Sequence, residues 1–552
     1  MQQTSRKRSM SVEKCLCGIL KFGRKRTRGC FWRGTCMKRL HVWMCVILGS
    51  FVIYLAIVTL ANVHLSVRRT HDRHKKHTVI HDFVRIKNKI PTTEDSYQFD
   101  DNNFQISEQA RIPYNVTLTS MSGVELTSLY YRYVNSLQYL CPVKEIFGGI
   151  MNGVYTCQLP KKATNCTTVY ISRRIHGESR ILKEIRDVKG CMVKQILKDD
   201  IETALRDGSM GLRRTFMKVV DILIVYTGTG EAYITERLLK KGYLGKVQQL
   251  IIKISLTRGA KNDNEIRRRL NLLRSLYQEG FRIYHKEPGP KCIYRLWYTY
   301  CYTIYLVRPQ PVVRPIVIPE VGTLITMAPA DLFRLYHRFA LSTQTLCSDN
   351  VRVGHIKDGG WNICNDSRHR PVTPCLVYSF GISGDWTFDD QISKLWKCQV
   401  HSFDPSIGKT DFNRSARISF HSLGIDAEDR INNNNWQMRT LGSFINLLGH
   451  NNKFIDIVKM DVEGSEWPAL NQILDSGLLA KVRQLFVEFH TYDIHISVSY
   501  LEHLKTFRRL YEQGMRVFWS HPNQVYNNIL RSNLTYFEIS GCYEIYFINT
   551  YL

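Results

Sequence analysis

From Leu40 to Val67 the sequence contains no Asp, Glu, Lys or Arg. The run exceeds the roughly 20 apolar residues that a membrane-spanning helix needs. It also lacks the small-residue cleavage pattern of a secretory signal peptide. A buried core helix is the alternative, but the length and the absence of charge favour a membrane span. We therefore predict a transmembrane helix that acts as a signal anchor over residues 41–66.

Acidic residues are almost absent before this run. Residues 1–40 contain twelve Lys and Arg against one Glu, which predicts a cytosolic N-terminus by the positive-inside rule. The expected topology is single-pass type II, with lumenal C-terminal domains in the Golgi or the endoplasmic reticulum. The formal net charge of +28 could indicate nucleic-acid binding. Because much of it lies in this tail and the sequence lacks a nucleic-acid-binding motif, we expect a membrane partner and no nucleic acid.

No N-glycosylation sequon precedes the apolar run, whereas five follow it, at Asn115, Asn165, Asn365, Asn413 and Asn533. This one-sided placement predicts a glycoprotein with its bulk in the lumen. Eleven of the sixteen cysteines also lie beyond the run, where disulfides persist. Since eleven is odd, at least one of these cysteines is free or pairs with another chain.

The chain contains an internal repeat. Residues 221–254 match residues 456–489 at ten of 34 positions without a gap. Upstream, "LYYRYVNSLQYLC" (129–141) parallels "LYHRFALSTQTLC" (335–347), and further cysteines follow in the same order in both halves. The order of these matches indicates a tandem duplication. Repeated cysteines such as Cys347 and Cys364 suggest a disulfide in each copy, although buried thiols and other pairings remain open.

The second copy alternates predicted strands and helices, which is typical of a doubly wound α/β sheet. Gly381, Asp404, Asp461 and His490 each fall at the end of a predicted strand, where such sheets bind ligands. An acidic residue about 20 residues beyond a glycine turn suits hydrogen bonding to ribose hydroxyls. A strand-end cap is the alternative role for Asp404, and a buried structural histidine is the alternative for His490. The first helix is predicted to begin with a capping box of Thr387 and Asp390.

The second copy resembles the methyltransferase-like protein 24 family, which is related to the FkbM-type methyltransferases. The resemblance rests on "VYSFGISGDWTFDD", "CQVHSFDPS", "KMDVEGSEW" and "LFVEFH", which occur in this order. It implies an α/β Rossmann-like methyltransferase fold with S-adenosylmethionine as cofactor. It does not define the acceptor, although a sugar hydroxyl is frequent among FkbM-type enzymes.

The resemblance also implies roles for individual residues. Gly381 and Gly384 would contact the methionine part of the cofactor, Asp404 its ribose, and Asp461 and Glu463 would lie beside the sulfonium and the acceptor. Asp461, Glu463 or His490 could serve as general base, or a carboxylate could simply attract the positive sulfonium. No metal site is predicted.

The first copy lacks these features. Asp461, Glu463 and Lys459 align with Tyr226, Gly228 and Ile224. No clear partner for Asp404 emerges, and arginine and histidine occupy the region of the glycine turn. We therefore predict a degenerate, non-catalytic first domain that serves packing, orientation or acceptor binding.

The predicted organisation is thus a pair of Rossmann-like methyltransferase folds behind a membrane anchor. Its segments are a basic cytosolic tail (1–40), the transmembrane helix (41–66), a lumenal stem (67–110), the degenerate domain (111–310), a proline-rich linker (311–324) and the methyltransferase domain (325–552). O-methylation of a glycan or similar acceptor is the leading functional prediction. One alternative is a Golgi glycosyltransferase, but neither "DVE" nor "DWTFDD" has the form of the Asp-x-Asp metal motif expected of that class. The other alternative is a non-catalytic lumenal interaction protein. The oligomeric state is not predicted.

Overall fold

The computed structural model describes residues 112–552 with the exception of 114, 159–165, 174–178, 229, 257–262, 290–291, 295–297, 311–313, 357, 492–498, 524–528 and 532–537. The predicted tail, transmembrane helix and stem lie outside these residues. Among the helices that are described, none combines the length and the apolar character needed to cross a membrane.

The first copy contains seven helices and ten strands in its described part. The helices are α1 (Asn115–Ser120), α2 (Gly123–Asn135), α3 (Arg180–Lys189), α4 (Lys198–Asp207), α5 (Met210–Met217), α6 (Glu231–Lys240) and α7 (Asp263–Gln278). The strands are β1 (Lys144–Phe147), β2 (Val154–Cys157), β3 (Thr167–Ser172), β4 (Met192–Leu197), β5 (Val220–Tyr226), β6 (Val247–Ser255), β7 (Arg282–Pro288), β8 (Ile293–Tyr294), β9 (Tyr298–Thr299) and β10 (Cys301–Val307). A 3₁₀ turn, Tyr243–Lys246, precedes β6.

The second copy follows the same plan with additional strands. Its helices are α8 (Val321–Thr326), α9 (Pro329–Ala340), α10 (Thr387–Trp396), α11 (Leu441–Leu447), α12 (Glu466–Asp475) and α13 (Ser499–Glu512). Its strands are β11 (Asn350–Gly354), β12 (Gly360–Cys364), β13 (Leu376–Phe380), β14 (Gln399–Phe403), β15 (Phe412–Ser415), β16 (Ile418–His421), β17 (Gly424–Ile425), β18 (Arg430–Ile431), β19 (Gln437–Arg439), β20 (Ile455–Met460), β21 (Val482–His490), β22 (Met515–Pro522), β23 (Ile529–Arg531), β24 (Glu538–Ser540) and β25 (Cys542–Asn549). The turn Leu478–Lys481 is also 3₁₀.

Each copy is built on one large mixed sheet. The strand order is β4-β3-β5-β6-β10-β7 in the first copy and β15-β16-β14-β13-β20-β21-β25-β22 in the second. Strands β16, β14, β13, β20 and β21 are parallel to one another, and β25 is antiparallel to both of its neighbours. Central strands β13 and β20 are buried at every position, because helices cover both faces of a parallel sheet. This is the methyltransferase-like α/β fold that the sequence predicts.

The two copies differ after their second parallel strand. Between β14 and β20 the second copy inserts β15 to β19 and α11, whereas helices α4 and α5 connect β4 to β5 in the first copy. The first sheet, within the described residues, therefore has no counterpart of β16. A separate correction concerns α10. Trp386 is its N-cap and no capping box forms; the Asp385 side chain instead accepts a hydrogen bond from the Thr387 N–H at 2.9 Å.

Equivalent hydrogen bonds confirm the duplication at the level of side chains. Asp221 accepts from the N–H of Thr167, at the start of β3, and Asp456 accepts from the N–H of Leu376, at the start of β13. Gln249 binds both backbone groups of Cys157. Its equivalent in the second copy, Gln484, binds both backbone groups of Cys364. The alignment of Asp221 with Asp456 is therefore structurally correct.

The predicted disulfide in each copy is also present. Cys141–Cys157 and Cys347–Cys364 are equivalent bonds, as are Cys166–Cys191 and Cys375–Cys398. A fifth bond, Cys292–Cys301, has a counterpart in the second copy at only one position, Cys542. Cys542 is buried and is the member of the odd set of eleven that forms no disulfide.

The two copies pack against each other through equivalent surfaces, within one compact unit. An isolated bridge joins Ser136 to Asp349, and a second joins Val143 to Ser342. In the repeat alignment Ser136 corresponds to Ser342, and Val143 to Asp349, so the two bridges are the same contact made in both directions. Such reciprocity is the signature of a two-fold axis. The tandem therefore forms a pseudo-symmetric dimer within one chain.

Two equivalent residues meet at this pseudo-two-fold axis. His285 of β7 and Trp519 of β22 align in the repeat and stack with ring centroids 4.9 Å apart. Lys144 of β1 adds a hydrogen bond to the Ser520 carbonyl at 3.1 Å. The stacked rings and Lys144 are buried. The contact between the copies is thus part of the protein core.

Candidate functional site

The structure brings the predicted residues to one edge of the second sheet. Residues Phe380, Phe403 and Met460, which end β13, β14 and β20, lie side by side in parallel register. Gly381, Asp404 and Asp461 follow them directly, and His490 ends β21. The carboxyl ends of these strands therefore meet as the sequence predicts, at the usual ligand-binding edge of such sheets.

Gly381 is required by the packing of the strand ends. Its φ is +71°, and a Cβ atom there would lie 1.6 Å from the carbonyl oxygen of Asp461. Lys459 secures the same turn, because its Nζ donates to the carbonyls of Phe380 and Gly381 at 3.2 and 2.5 Å. Gly381 thus sets the position of the Asp461 backbone, whereas its predicted contact with the cofactor stays a prediction. The sequence analysis did not assign this anchoring role to Lys459.

Gly384 has a different environment. Its φ is +78°, and a Cβ atom would meet nothing within 4 Å. The turn is therefore open at Gly384 and allows a ligand to approach the backbone. Ser383, one residue earlier, also has a left-handed conformation, with a φ of +45°. A ligand contact at Gly384 is consistent with this open space.

Asp404 holds the glycine turn to the neighbouring strand. Its Oδ2 accepts from the Ser383 N–H at 2.7 Å, and its Oδ1 accepts from the Ser406 N–H at 2.8 Å. The side chain has therefore the capping role that the sequence analysis weighed as the alternative. Oδ1 also accepts from the Ser406 Oγ–H at 2.5 Å, so both of its lone pairs are used. Oδ2 retains one lone pair for a further donor such as a ribose hydroxyl.

Beyond β20 the chain presents two carboxylates of different exposure. Asp461 is half-buried, and burial raises its pKa to about 6, although the positive charges of Lys459 and His490 oppose this rise. The Glu463 side chain is 75% exposed and its Oε2 lies 3.5 Å from Nε2 of His490. Glu463 also has a φ of +53°, which is unfavourable for a residue with a side chain. Such retained backbone strain is typical of functional positions.

His490 is buried among acidic groups. Its Nδ1 lies 3.2 Å from Oε1 of Glu466, which also accepts from the His490 N–H at 2.7 Å. Burial lowers the pKa of His490, but hydrogen bonds to Cys542 and Glu466 outweigh burial and raise it to about 11. The protonated ring cannot accept a proton, so it must release a proton before it can act as a base or as a metal ligand. Glu466 therefore orients the histidine.

Further residues of this edge were not assigned from the sequence. Glu488 precedes His490 on the same face of β21, and Cys542 lies directly opposite His490 on β25. Ligand atoms of Glu488, His490 and Cys542 all lie within 4.8 Å of one another, and the three residues are buried. The two-residue spacing of Glu488 and His490 was visible in "VEFH", but the pairing with Cys542 depends on a strand more than fifty residues later.

Two depressions lie near the second sheet. One, of about 440 Å³, is lined by Leu376, Gln399, Asp456 and Arg483 among others. These residues lie at or near the amino ends of the strands, away from the predicted chemistry. The other, of about 500 Å³, lies beside the carboxyl ends of β14 and β16 and is lined by Gly408, Lys409, Thr410, Asp411, Ser422, Leu423 and Gln437. Only the second adjoins the edge that carries Asp404.

Comparison with known proteins supports the assignment of the second copy. Residues 331–537 match the family model of a methyltransferase domain. The probable methyltransferase-like protein 24 of Homo sapiens is 27% identical over 235 residues, which are 39% of this chain and 63% of that protein. The Rattus norvegicus protein of the same name is 29% identical over 231 residues, or 38% and 62% of the two chains. The match spans less than two thirds of these relatives' length.

Among solved structures, the comparison finds phosphoethanolamine N-methyltransferase 2 of Haemonchus contortus. One structure, a complex with phosphomonomethylethanolamine and S-adenosylhomocysteine, is 13% identical and covers 64% of this chain and 80% of that one, with a TM-score of 0.20. A complex with S-adenosylmethionine has a TM-score of 0.18. The match to the family model agrees with the resemblance stated from the sequence and supports a methyltransferase domain in the second copy.

Proposed function

We propose that the second copy binds S-adenosylmethionine and transfers its methyl group to a hydroxyl acceptor. The observation that carries this proposal is the meeting of an open glycine turn, Asp404 and Asp461 at one strand edge of the methyltransferase domain. When bound, the cofactor supplies an electrophilic methyl group on a sulfonium. The residues of this chain bind it, orient it and accept the acceptor's proton.

Each part of the cofactor has a suitable position. The open backbone at Gly384 would hold the methionine portion, and Oδ2 of Asp404 keeps one lone pair for a ribose hydroxyl. The depression bounded by Gly408 and Ser422 is next to Asp404 and accommodates the adenine. Asp461 follows β20 beside the glycine turn, and its carboxylate would attract the positive sulfonium of the cofactor.

Glu463 is the residue we assign as general base. It is the more exposed of the two carboxylates after β20, so it is the one that an acceptor from solvent can reach. The equivalent residue in the first copy is Gly228, which adopts the same left-handed backbone without strain. The fold therefore does not require a strained residue at this position. A positioned base contributes about 10²–10⁴-fold to a transfer of this kind.

The first copy lacks this machinery and is assigned as non-catalytic. Strand register and the equivalent disulfides align Asp404 with Leu197, which has no carboxylate. Tyr226 occupies the position of Asp461, and Arg173 follows β3 near the place of the glycine turn. The copy retains the sheet and its interface, so its function in this proposal is to support the second copy.

The membrane topology and the acceptor belong to the same proposal. Five disulfides form among residues 112–552, which supports an oxidising compartment such as the Golgi or endoplasmic reticulum lumen. Asn413 is exposed on edge strand β15, where a glycan could be attached. We propose a type II membrane protein with its anchor at 41–66, and a glycan hydroxyl as acceptor.

Calorimetric titration of the full-length chain tests cofactor binding. S-adenosylmethionine is expected to bind with one site per chain, whereas UDP-sugars are expected to give no heat. Asp404→Ala should weaken binding, and Leu197→Ala, the matched change in the first copy, should leave it unchanged. Heat with a UDP-sugar alone would favour the glycosyltransferase alternative. The absence of heat with both ligands would favour the non-catalytic alternative.

A further inference from the structure

A buried group of three different side chains adjoins the proposed methyl-transfer site. Glu488 and His490 project from one face of β21, since residues two apart on a strand share a face. Cys542 is the direct cross-strand partner of His490 on β25. Their exposed fractions are 4%, 5% and 2%. Carboxylate, imidazole and thiol together are a ligand set for a transition metal.

We propose that Glu488, His490 and Cys542 bind a divalent transition metal, with Zn²⁺ as the best match to these ligands. The proposal stands apart from methyl transfer, because it concerns ion binding and not the reaction. It adds a metal centre that the sequence analysis did not predict. A thiolate and an imidazole select zinc over magnesium or calcium, which prefer oxygen ligands.

Neighbouring residues hold the ligands in a suitable orientation. Glu466 contacts Nδ1 of His490 at 3.2 Å, and Nε2 is on the side of Glu488, 3.9 Å from its Oε1. Asn523 donates to the same Glu488 oxygen at 2.6 Å. A carboxylate on the distal nitrogen of a ligating histidine is a recurring feature of metal sites.

The spacing of the ligand atoms is close to what zinc needs. Tetrahedral bonds of the usual length separate two N or O ligand atoms by about 3.4 Å. Nε2 of His490 and Oε1 of Glu488 are 3.9 Å apart, so this distance has to shorten by about 0.5 Å when the ion binds. Asp461 and Glu463 also have oxygens within 4.8 Å of the histidine. Because both carboxylates are assigned to methyl transfer, the fourth ligand of the ion is expected to be a water.

The first copy shows that the fold does not require these groups. Strand register aligns Glu488 with Lys253 and His490 with Ser255. The equivalent of Cys542 is Cys301, which forms a disulfide with Cys292. Burying charged and polar groups costs free energy unless they are paired or coordinate a metal. The second copy thus buries a carboxylate, an imidazole and a thiol, whereas the first copy has a lysine, a serine and a disulfide-bonded cysteine at these positions.

The test uses the full-length chain, purified without chelator and then stripped. The as-purified protein is expected to contain about one zinc per chain by mass spectrometry. Cobalt added to the stripped protein should give a thiolate charge-transfer band and tetrahedral d–d bands. Cys542→Ser should abolish the charge-transfer band and weaken cobalt binding about tenfold or more. His490→Ser, which places the first-copy residue type in the site, should also weaken binding.

Controls separate metal binding from folding. His503→Gln changes a buried histidine outside the cluster and should leave the cobalt spectrum unchanged. Circular dichroism of the stripped variants establishes that each is folded. A stripped wild-type protein that binds neither ion would overturn the proposal. Binding that persists with its charge-transfer band in Cys542→Ser would overturn it equally, as would uptake of Mg²⁺ in preference to Zn²⁺.

Discussion

Glu463 and Gly228 occupy equivalent positions in the two copies, and both have left-handed backbone, with φ values of +53° and +78°. Glycine adopts this conformation without penalty, whereas a residue with a Cβ pays about 1–2 kcal/mol. The turn therefore has the same shape in both copies, and only the second has a strained residue in it. This contrast separates the requirement of the fold from the requirement of the site.

Replacing Glu463 with glycine is expected to stabilise the fold while lowering activity. Relief of the left-handed strain should raise the free energy of unfolding by about 1 kcal/mol. Loss of the base should lower kcat about 10²-fold or more. Denaturant unfolding and methyl transfer from labelled S-adenosylmethionine measure the two effects. Glu463→Gln is the control, because it keeps the strain and removes only the charge; full activity in either variant would contradict the assignment.

Gly381 and Gly384 should differ in their response to alanine. Gly381→Ala places a Cβ against the Asp461 carbonyl, so we expect a loss of more than about 2 kcal/mol in unfolding free energy. Gly384→Ala meets open space and should cost only about 1–2 kcal/mol, from its positive φ, while still weakening cofactor binding. Chemical denaturation and calorimetric titration test the pair. Equal losses of stability would refute the different roles.

Buried His337 should make stability depend on pH. Burial lowers its pKa to about 3, whereas an unfolded histidine titrates near 6.5. Between these values the unfolded chain binds more protons, so the contribution is fully present above about pH 6.5. It is lost toward pH 3, by about 1.4 kcal/mol per pH unit for this group. His337→Gln should reduce the slope of unfolding free energy against pH. Tyr543→Phe removes the hydrogen bond to Nδ1 of His337 and the acceptor of the Ser540 N–H but leaves the histidine in place, so it should preserve the slope.

Trp519 should couple the two copies energetically. Truncation to alanine removes its stacking with His285 and its contact with Lys144, and such changes in a core cost about 3–5 kcal/mol. We expect wild-type protein to unfold in one calorimetric transition and Trp519→Ala to unfold in two, since the copies lose their shared core. Trp386→Ala, in a ring cluster of the second copy alone, should not separate the transitions. A single transition in both variants would contradict the coupling.

Much of the second copy could be predicted from its sequence. Apolar strands, turn glycines and the repeat itself are local patterns, so they placed Gly381, Asp404, Asp461 and His490 at one sheet edge. The paired cysteines of the repeat likewise gave Cys347–Cys364. Local patterns were less informative for the start of α10, where Asp385 makes the contact expected of Thr387.

Contacts distant in sequence could not be predicted. Cys542 faces His490 because β25 pairs antiparallel with β21. The periodicity of apolar residues in the sequence does not predict which strands pair. The positive φ of Glu463 could not be predicted from the sequence either, since glutamate normally avoids this backbone conformation. The interface between copies depends on pairs such as Ser136 and Asp349, which only the assembled sheets define.

The reciprocal bridges of Ser136 with Asp349 and Val143 with Ser342 have a consequence for divergence. In an assembly of two identical chains, every substitution enters both subunits at once, so a harmful change at a reactive centre is never masked. Covalent linkage removes that constraint, because each half carries its own codons. One half can then lose its reactive groups while selection keeps its interface surface, because the other half depends on that interface. The pair also stays together at any dilution, so its assembly does not depend on protein concentration.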